Sequence, residues 1–155
     1  MERHFQRELE GLKTALIKMG SLVEEGMRLA IDSVLEKNAD HARAAIELDE
    51  RIDALELEVD NDIIDLLALQ QPVARDLRFI VAAQKLNNDL ERIGDHSVNI
   101  AQSALSLAEA PATSLMQNIP RMAEIVLQVN HNHSCVFRPD LLTKCEHHLE
   151  PSFSR

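Results

Sequence analysis

From Phe5 to Leu105 the apolar side chains recur at steps of three and four, interrupted clearly at only two places. That spacing returns to one side of a 3.6-residue helix. The chain is therefore committed to long amphipathic helices that bury one stripe against each other. The first stripe is Phe5, Leu9, Leu12, Leu16, Met19, Val23, Met27, Ala30 and Val34, which predicts a helix from about Arg3 to Glu36. Asn38 or Asp40 can cap the next helix by accepting a free N-terminal amide. The second stripe, Ala42, Ile46, Ile52, Leu55, Val59, Ile63 and Leu66, predicts a helix from Ala39 to Leu69. Gln71-Pro72 ends it, because proline lacks the amide and restricts the residue before it, yet fits the first turn of a new helix. The third helix should run from Val73 to Ala108, with Leu77, Ile80, Ala83, Leu86, Leu90, Ile93, Ala101 and Leu105 inward.

Composition agrees. Aromatic residues make up 3% of the chain, with no Trp and no Tyr, and strands favour such residues. Three helices with short connections must be antiparallel neighbours. The expected fold class is all-α: an antiparallel three-helix bundle, up-down-up and spectrin-repeat-like, over residues 1–110. A restart follows. Ile119-Pro-Arg-Met-Ala-Glu-Ile-Val126 lines up with Leu16-Ile-Lys-Met-Gly-Ser-Leu-Val23, so residues 111–129 read as a linker and the start of a second repeat. After Val129 the helical pattern is lost. Residues 130–155 hold four of the seven His and both Cys, and are expected to be an atypical tail, either disordered or aberrant. His131, His133, Cys135, Cys145, His147 and His148 are zinc-type ligands, but their spacing matches no common finger.

The net charge of −10 belongs to residues 1–129, because the last 26 residues carry three acids and three bases. An acidic body repels phosphate backbones, which argues against nucleic acid as a partner. No signal-peptide-like start and no run of 18 apolar residues is present, so a cytoplasmic protein is expected.

The acids are not evenly spread. Residues 47–65 hold nine acids against one base, Arg51. Asp49, Asp53, Glu56 and Asp60 fall at steps of four, three and four on the second helix, as do Glu91 and Asp95 at a step of four on the third. Asp53 lies 19 residues before Pro72 and Glu91 lies 19 after it; Asp49 and Asp95 lie 23 before and 23 after. In an antiparallel hairpin each pair is level, and whether the pairs face one another depends on helix rotation. If they do, four carboxylates meet with no His or Cys among them. That donor set suits a hard cation such as Mg²⁺, Mn²⁺, Ca²⁺ or iron. An acidic helix face can equally be a solvated surface, as most are. Asn88 and Asn99 extend the polar face, and Gly94 is read first as close helix packing and second as room for a ligand. His96 is read as a surface or satisfied histidine, and Arg75 and Arg78 as partners of nearby acids. No Glu-x-x-His, phosphate-binding glycine loop or nucleophile elbow is present, so no catalytic residue is assigned.

The run Gln70-Gln-Pro-Val-Ala-Arg-Asp-Leu-Arg78, then Asp89-Leu-Glu-Arg-Ile-Gly-Asp-His96 and Asn99-Ile-Ala101, closely resembles the PhoU family of phosphate-uptake regulators. Asp49-Glu-Arg-Ile-Asp53 is similar to the family's other acidic motif. The resemblance covers residues 1–129. It implies two copies of a three-helix unit, a homodimer, and a cytoplasmic regulator that is not an enzyme. It also implies metal ions, Mg, Mn, Fe or Zn, bound through Asp49, Asp53, Glu91 and Asp95. The implied role is repression of phosphate-starvation signalling through the phosphate ABC transporter and a membrane sensor histidine kinase. The second unit breaks off after Val129, which would leave one complete acidic face and an uncovered apolar stripe. The alternative is a helical scaffold with no metal.

Overall fold

A computed structural model describes residues 2–108 and 118–135 of the chain, and within them the protein is four helices. Helix α1 spans Glu2–Leu35, α2 Ala39–Gln70, α3 Ala74–Ala108 and α4 Ile119–Cys135. The segment between α3 and α4 and the residues after Cys135, with Cys145, His147 and His148 among them, lie outside the described residues.

The two breaks in the pattern are the two turns. Lys37 takes a left-handed conformation (φ 53°), and the Asn38 amide donates back to the Ser33 carbonyl at 3.1 Å, which closes α1. Asn38 then caps α2, its side-chain oxygen accepting from the Asp40 amide at 3.0 Å. At the other end Gln71 is left-handed (φ 46°), and Pro72 and Val73 lead directly into α3. Connections this short force α1, α2 and α3 into an antiparallel bundle, and all three pairs pack.

The core has three levels. Near the α2–α3 turn, Leu12, Leu16, Val59, Ile63, Leu66 and Ile80 are buried together, with Phe5 and Phe79 at the edge. Midway, Met19, Val23, Leu48, Ile52, Leu55 and Leu90 meet. At the far end the contact is Ala30, Ala42, Ala45 and Ala101, small side chains that bring the helices close. The expected stripes of α1 and α2 are all buried or partly buried. Helix α3 differs. Leu77, expected inward, is 39% exposed, and its fully turned-in residues include Asn87, Gly94 and Ser97 instead. Leu86, Ile93 and Leu105 are only partly buried.

Helix α4 packs on α1, where Ala123 meets Met27 and Ile31. It continues to Cys135, six residues past the point at which the apolar pattern fades. Its Met122, Ile125, Val126 and Val129 stay exposed. Between α1, α3 and α4 runs an apolar groove of about 700 Å³, lined by Met27, Ile31, Ile93, Ile100, Leu107 and Met122 among others, with His96 on its wall.

A candidate metal-binding carboxylate face on the second and third helices

The height of α3 against α2 follows from the tight turn at Pro72, and side-chain bonds confirm it. Gln84 Nε2 donates to Asp60 Oδ1 at 2.8 Å, linking residues 12 after and 12 before Pro72. Asn87 Nδ2 donates to the same carboxylate oxygen at 2.8 Å and to the Glu56 carbonyl at 3.1 Å. Further along, Gly94 presses against α2. A Cβ built there would stand 3.1 Å from Asp49 Oδ1 and 3.3 Å from Ile52 Cγ2. The glycine thus serves close packing, and one of the groups it admits is a carboxylate of the candidate site.

The four singled-out acids share one region. Burial pushes the Asp49 carboxyl above the usual aspartate range, and the charges of Asp53 on its own helix and Asp95 on α3 add to the rise. Glu91 is also raised, first by burial, then by the charge of Asp95 and a hydrogen bond to it, then by Glu56 and Asp53 across the hairpin. Glu56 is raised by burial and by Asp60 and Asp53. The rotation that sequence left open therefore places α2 acids and α3 acids within each other's field, and Glu56 joins them. Among the described residues no Lys or Arg forms an ion pair with any of these carboxylates. Arg92, next to Glu91, reaches only Asp89, at 4.0 Å, and Arg51, between Asp49 and Asp53, forms no ion pair among the described residues. Repulsion here goes uncompensated by the protein's own bases.

The donor chemistry fits a hard cation: oxygen atoms only, anionic, at the surface. As the side chains stand, no three His, Cys, Asp or Glu among the described residues converge as a ready ligand set. Asp53 and Asp95 are exposed, and Asp95 shares a hydrogen bond with Glu91. Asn88 and Asn99 are exposed on α3, and Asn88 accepts a long bond from Gln84 at 3.5 Å. His96 faces the apolar groove. Arg75 and Arg78 do not make the expected ion pairs among the described residues; Arg75 instead borders a small cleft with Glu10 and Asp76.

The residue that sequence reasoning missed is Asn87, fully buried and bonded to α2. A signal was available: Ile80, Asn87, Gly94 and Ala101 recur every seven residues, as core positions of packed helices do.

Comparison with known proteins decides the family. The PhoU domain profile matches residues 16–104, most of the three-helix bundle and every acid of the α2–α3 carboxylate face. This chain belongs to the PhoU family. A phosphate-specific transport system accessory protein PhoU homolog from Aquifex aeolicus is 41% identical over 123 residues, covering 79% of this chain and 56% of the relative. A PhoU homolog 1 from Thermotoga maritima is 42% identical over 106 residues, covering 68% and 46%. The crystal structure of PhoU from Pseudomonas aeruginosa superposes with a TM-score of 0.79 at 30% identity, covering 90% of this chain and 65% of that one. The chain thus spans about half the length of the curated relatives it matches. Among the described residues no helix is long and apolar enough to cross a membrane.

Proposed function

We propose that this PhoU-family chain is an accessory protein of phosphate-specific transport that restrains phosphate uptake and starvation signalling, and that its α2–α3 carboxylate face binds a metal ion. The observation that supports the metal reading is the crowding of carboxylates across the hairpin, where Asp95 adds to the rise of Asp49, and Glu56 and Asp53 to that of Glu91, with no basic partner among the described residues. A di- or trivalent ion, with Mg, Mn, Fe and Zn as the candidates, removes that repulsion. It ties α2 to α3 through Asp49, Asp53, Glu91 and Asp95. A coordination position left open on such an exposed ion can take an acidic or phosphate group of a partner. The partners on this reading are the phosphate ABC transporter and a membrane sensor kinase, met from the cytoplasmic side. The open apolar groove and the exposed side of α4 are the face on which the chain forms a homodimer. Nothing in the site supplies a nucleophile with its base, so the role is regulatory rather than catalytic.

The test is complementation. A bacterium deleted for its own PhoU is given this chain, or the Glu91→Ala/Asp95→Ala variant at equal abundance. Labelled phosphate uptake and a starvation-responsive reporter are then read. Repression by the wild-type chain and its loss in the variant support the proposal. Failure of the wild-type chain to repress, with soluble protein present, rejects it. A second reading, a metal-free helical scaffold, draws on the absence of a preformed ligand cluster among the described residues. It expects the variant to repress as well as the wild type.

A further inference from the structure

Helix α3 is turned in an unexpected direction. Five of its large apolar residues, Phe79, Leu86, Ile93, Ile100 and Leu107, form a seven-residue series of their own, yet all five are only partly buried or exposed. The series one residue further on, Ile80, Asn87, Gly94 and Ala101, is buried in their place. One residue is about 100° around a helix. A roll that carried Ile93, Ile100 and Leu107 from the groove toward the core would draw Ile80 and Leu90 outward, so apolar burial alone does not fix the rotation of α3.

Two features oppose that roll. Gly94 lets Asp49 and Ile52 approach the α3 backbone. Asn87 is bonded to the Glu56 carbonyl and Asp60, while its Oδ1 has no partner among the described residues. A buried amide with an unmet acceptor is a poor way to add stability. A buried Asn in a helix interface is instead a recognised means of fixing one arrangement among several.

We propose that Asn87 is a positioning residue, the rotational lock that holds α3 turned so that Glu91 and Asp95 face Asp49 and Asp53. The proposal rests on the metal reading for its consequence but not for its geometry. Asn87 touches no ion. It acts by aiming Glu91, one turn along the same face, at α2.

The test uses the full chain with Cys135 and Cys145 changed to Ser and spin labels at Arg43→Cys and Gln102→Cys, exposed positions on α2 and α3. Asn87→Leu keeps the forked shape, with somewhat greater bulk, and removes the amide. Leu90→Ala, a core truncation on the same helix, is the control for lost stability. With Asn87→Leu the midpoint of thermal unfolding should hold or rise. The label distance should shift or broaden by about 5 Å, the sweep of a surface side chain in a partial roll. Mn²⁺ affinity should fall about 10- to 100-fold, as when a supporting partner of a metal site is removed. Leu90→Ala should lower the midpoint and leave distance and affinity nearly unchanged. An unchanged label distance in Asn87→Leu overturns the lock, whatever the metal does. A shifted distance with unchanged Mn²⁺ affinity overturns the positioning role. If the unsubstituted chain takes up no Mn²⁺, the metal reading fails, and the lock is judged by the label distance alone.

Discussion

Gly94→Ala measures how closely α3 approaches α2 beside the acids. In an exposed helix, Gly to Ala stabilises by about 1 kcal/mol. At Gly94 the new methyl meets Asp49 Oδ1 at 3.1 Å and Ile52 at 3.3 Å. Ile52 is 1% exposed and has nowhere to go. Asp49 can swing, but Asp53 and Asp95 already repel it. Overpacking of this kind costs about 1–3 kcal/mol, which exceeds the helix gain. The expected net effect is a loss of about 1 kcal/mol, or roughly 2–4 °C in the unfolding midpoint for a chain of this size. Two glycines serve as internal controls. Gly11 has nothing within 4 Å of its built Cβ, and Gly26 has only ordinary contact with Leu48 at 3.5 Å. Gly11→Ala should stabilise by up to about 1 kcal/mol, and Gly26→Ala by somewhat less. Differential scanning calorimetry of the three variants in chelator decides the matter. A Gly94→Ala protein as stabilised as Gly11→Ala would mean that α3 stands off from α2 there. The facing of the carboxylates would then be refuted.

Other perturbations follow from the same geometry. Glu91→Gln removes a charge from the repelling set and should stabilise the metal-free protein near neutral pH by about 0.2–0.5 kcal/mol for each relieved pair, read by urea unfolding. Asp49, Glu56 and Glu91 are raised on folding, so the folded state holds their protons more tightly. Their contribution to stability is full below the ordinary values of 3.8 and 4.5 and is lost as pH rises through the raised ones. The advantage of Glu91→Gln over wild type should therefore vanish near pH 4 and grow toward neutrality; a constant advantage would show that Glu91 titrates normally. Ile80→Ala should cost about 2–5 kcal/mol and Leu77→Ala under about 1, by calorimetry, because only Ile80 is fully buried. Asn38→Ala should cost about 0.5–2 kcal/mol through loss of the α2 cap, read by thermal unfolding.

Much of the bundle was legible in the sequence, for physical reasons that can be named. Asn38 and Pro72 mark the turns because one supplies a cap and the other removes an amide, and the limits of α1, α2 and α3 fall within a residue of those expected. The level pairing of Asp49 with Asp95 and Asp53 with Glu91 needed only a short turn and a constant rise per residue. Rotation was not legible. Apolar periodicity assigns a buried stripe by counting large side chains, and on α3 those are Leu86 and Ile93, one residue away from the buried Asn87 and Gly94. A hydrogen-bonded amide and a missing Cβ carry no hydropathy. Leu77 was misplaced for the same reason. The extension of α4 through His131, His133 and Cys135 escaped because apolar periodicity has nothing to count in that polar stretch.

The central claim is that the acids of α2 and α3 hold a metal ion. Its most direct test is metal content per chain by plasma mass spectrometry, on protein purified without chelator or a metal-affinity tag. The measurement compares wild type with Glu91→Ala/Asp95→Ala. The account predicts stoichiometric metal in the wild type and its loss in a variant that stays helical and folded. Wild-type protein free of metal, even after incubation with Mg²⁺, Mn²⁺, Zn²⁺ and iron, would contradict it and leave a helical interaction module.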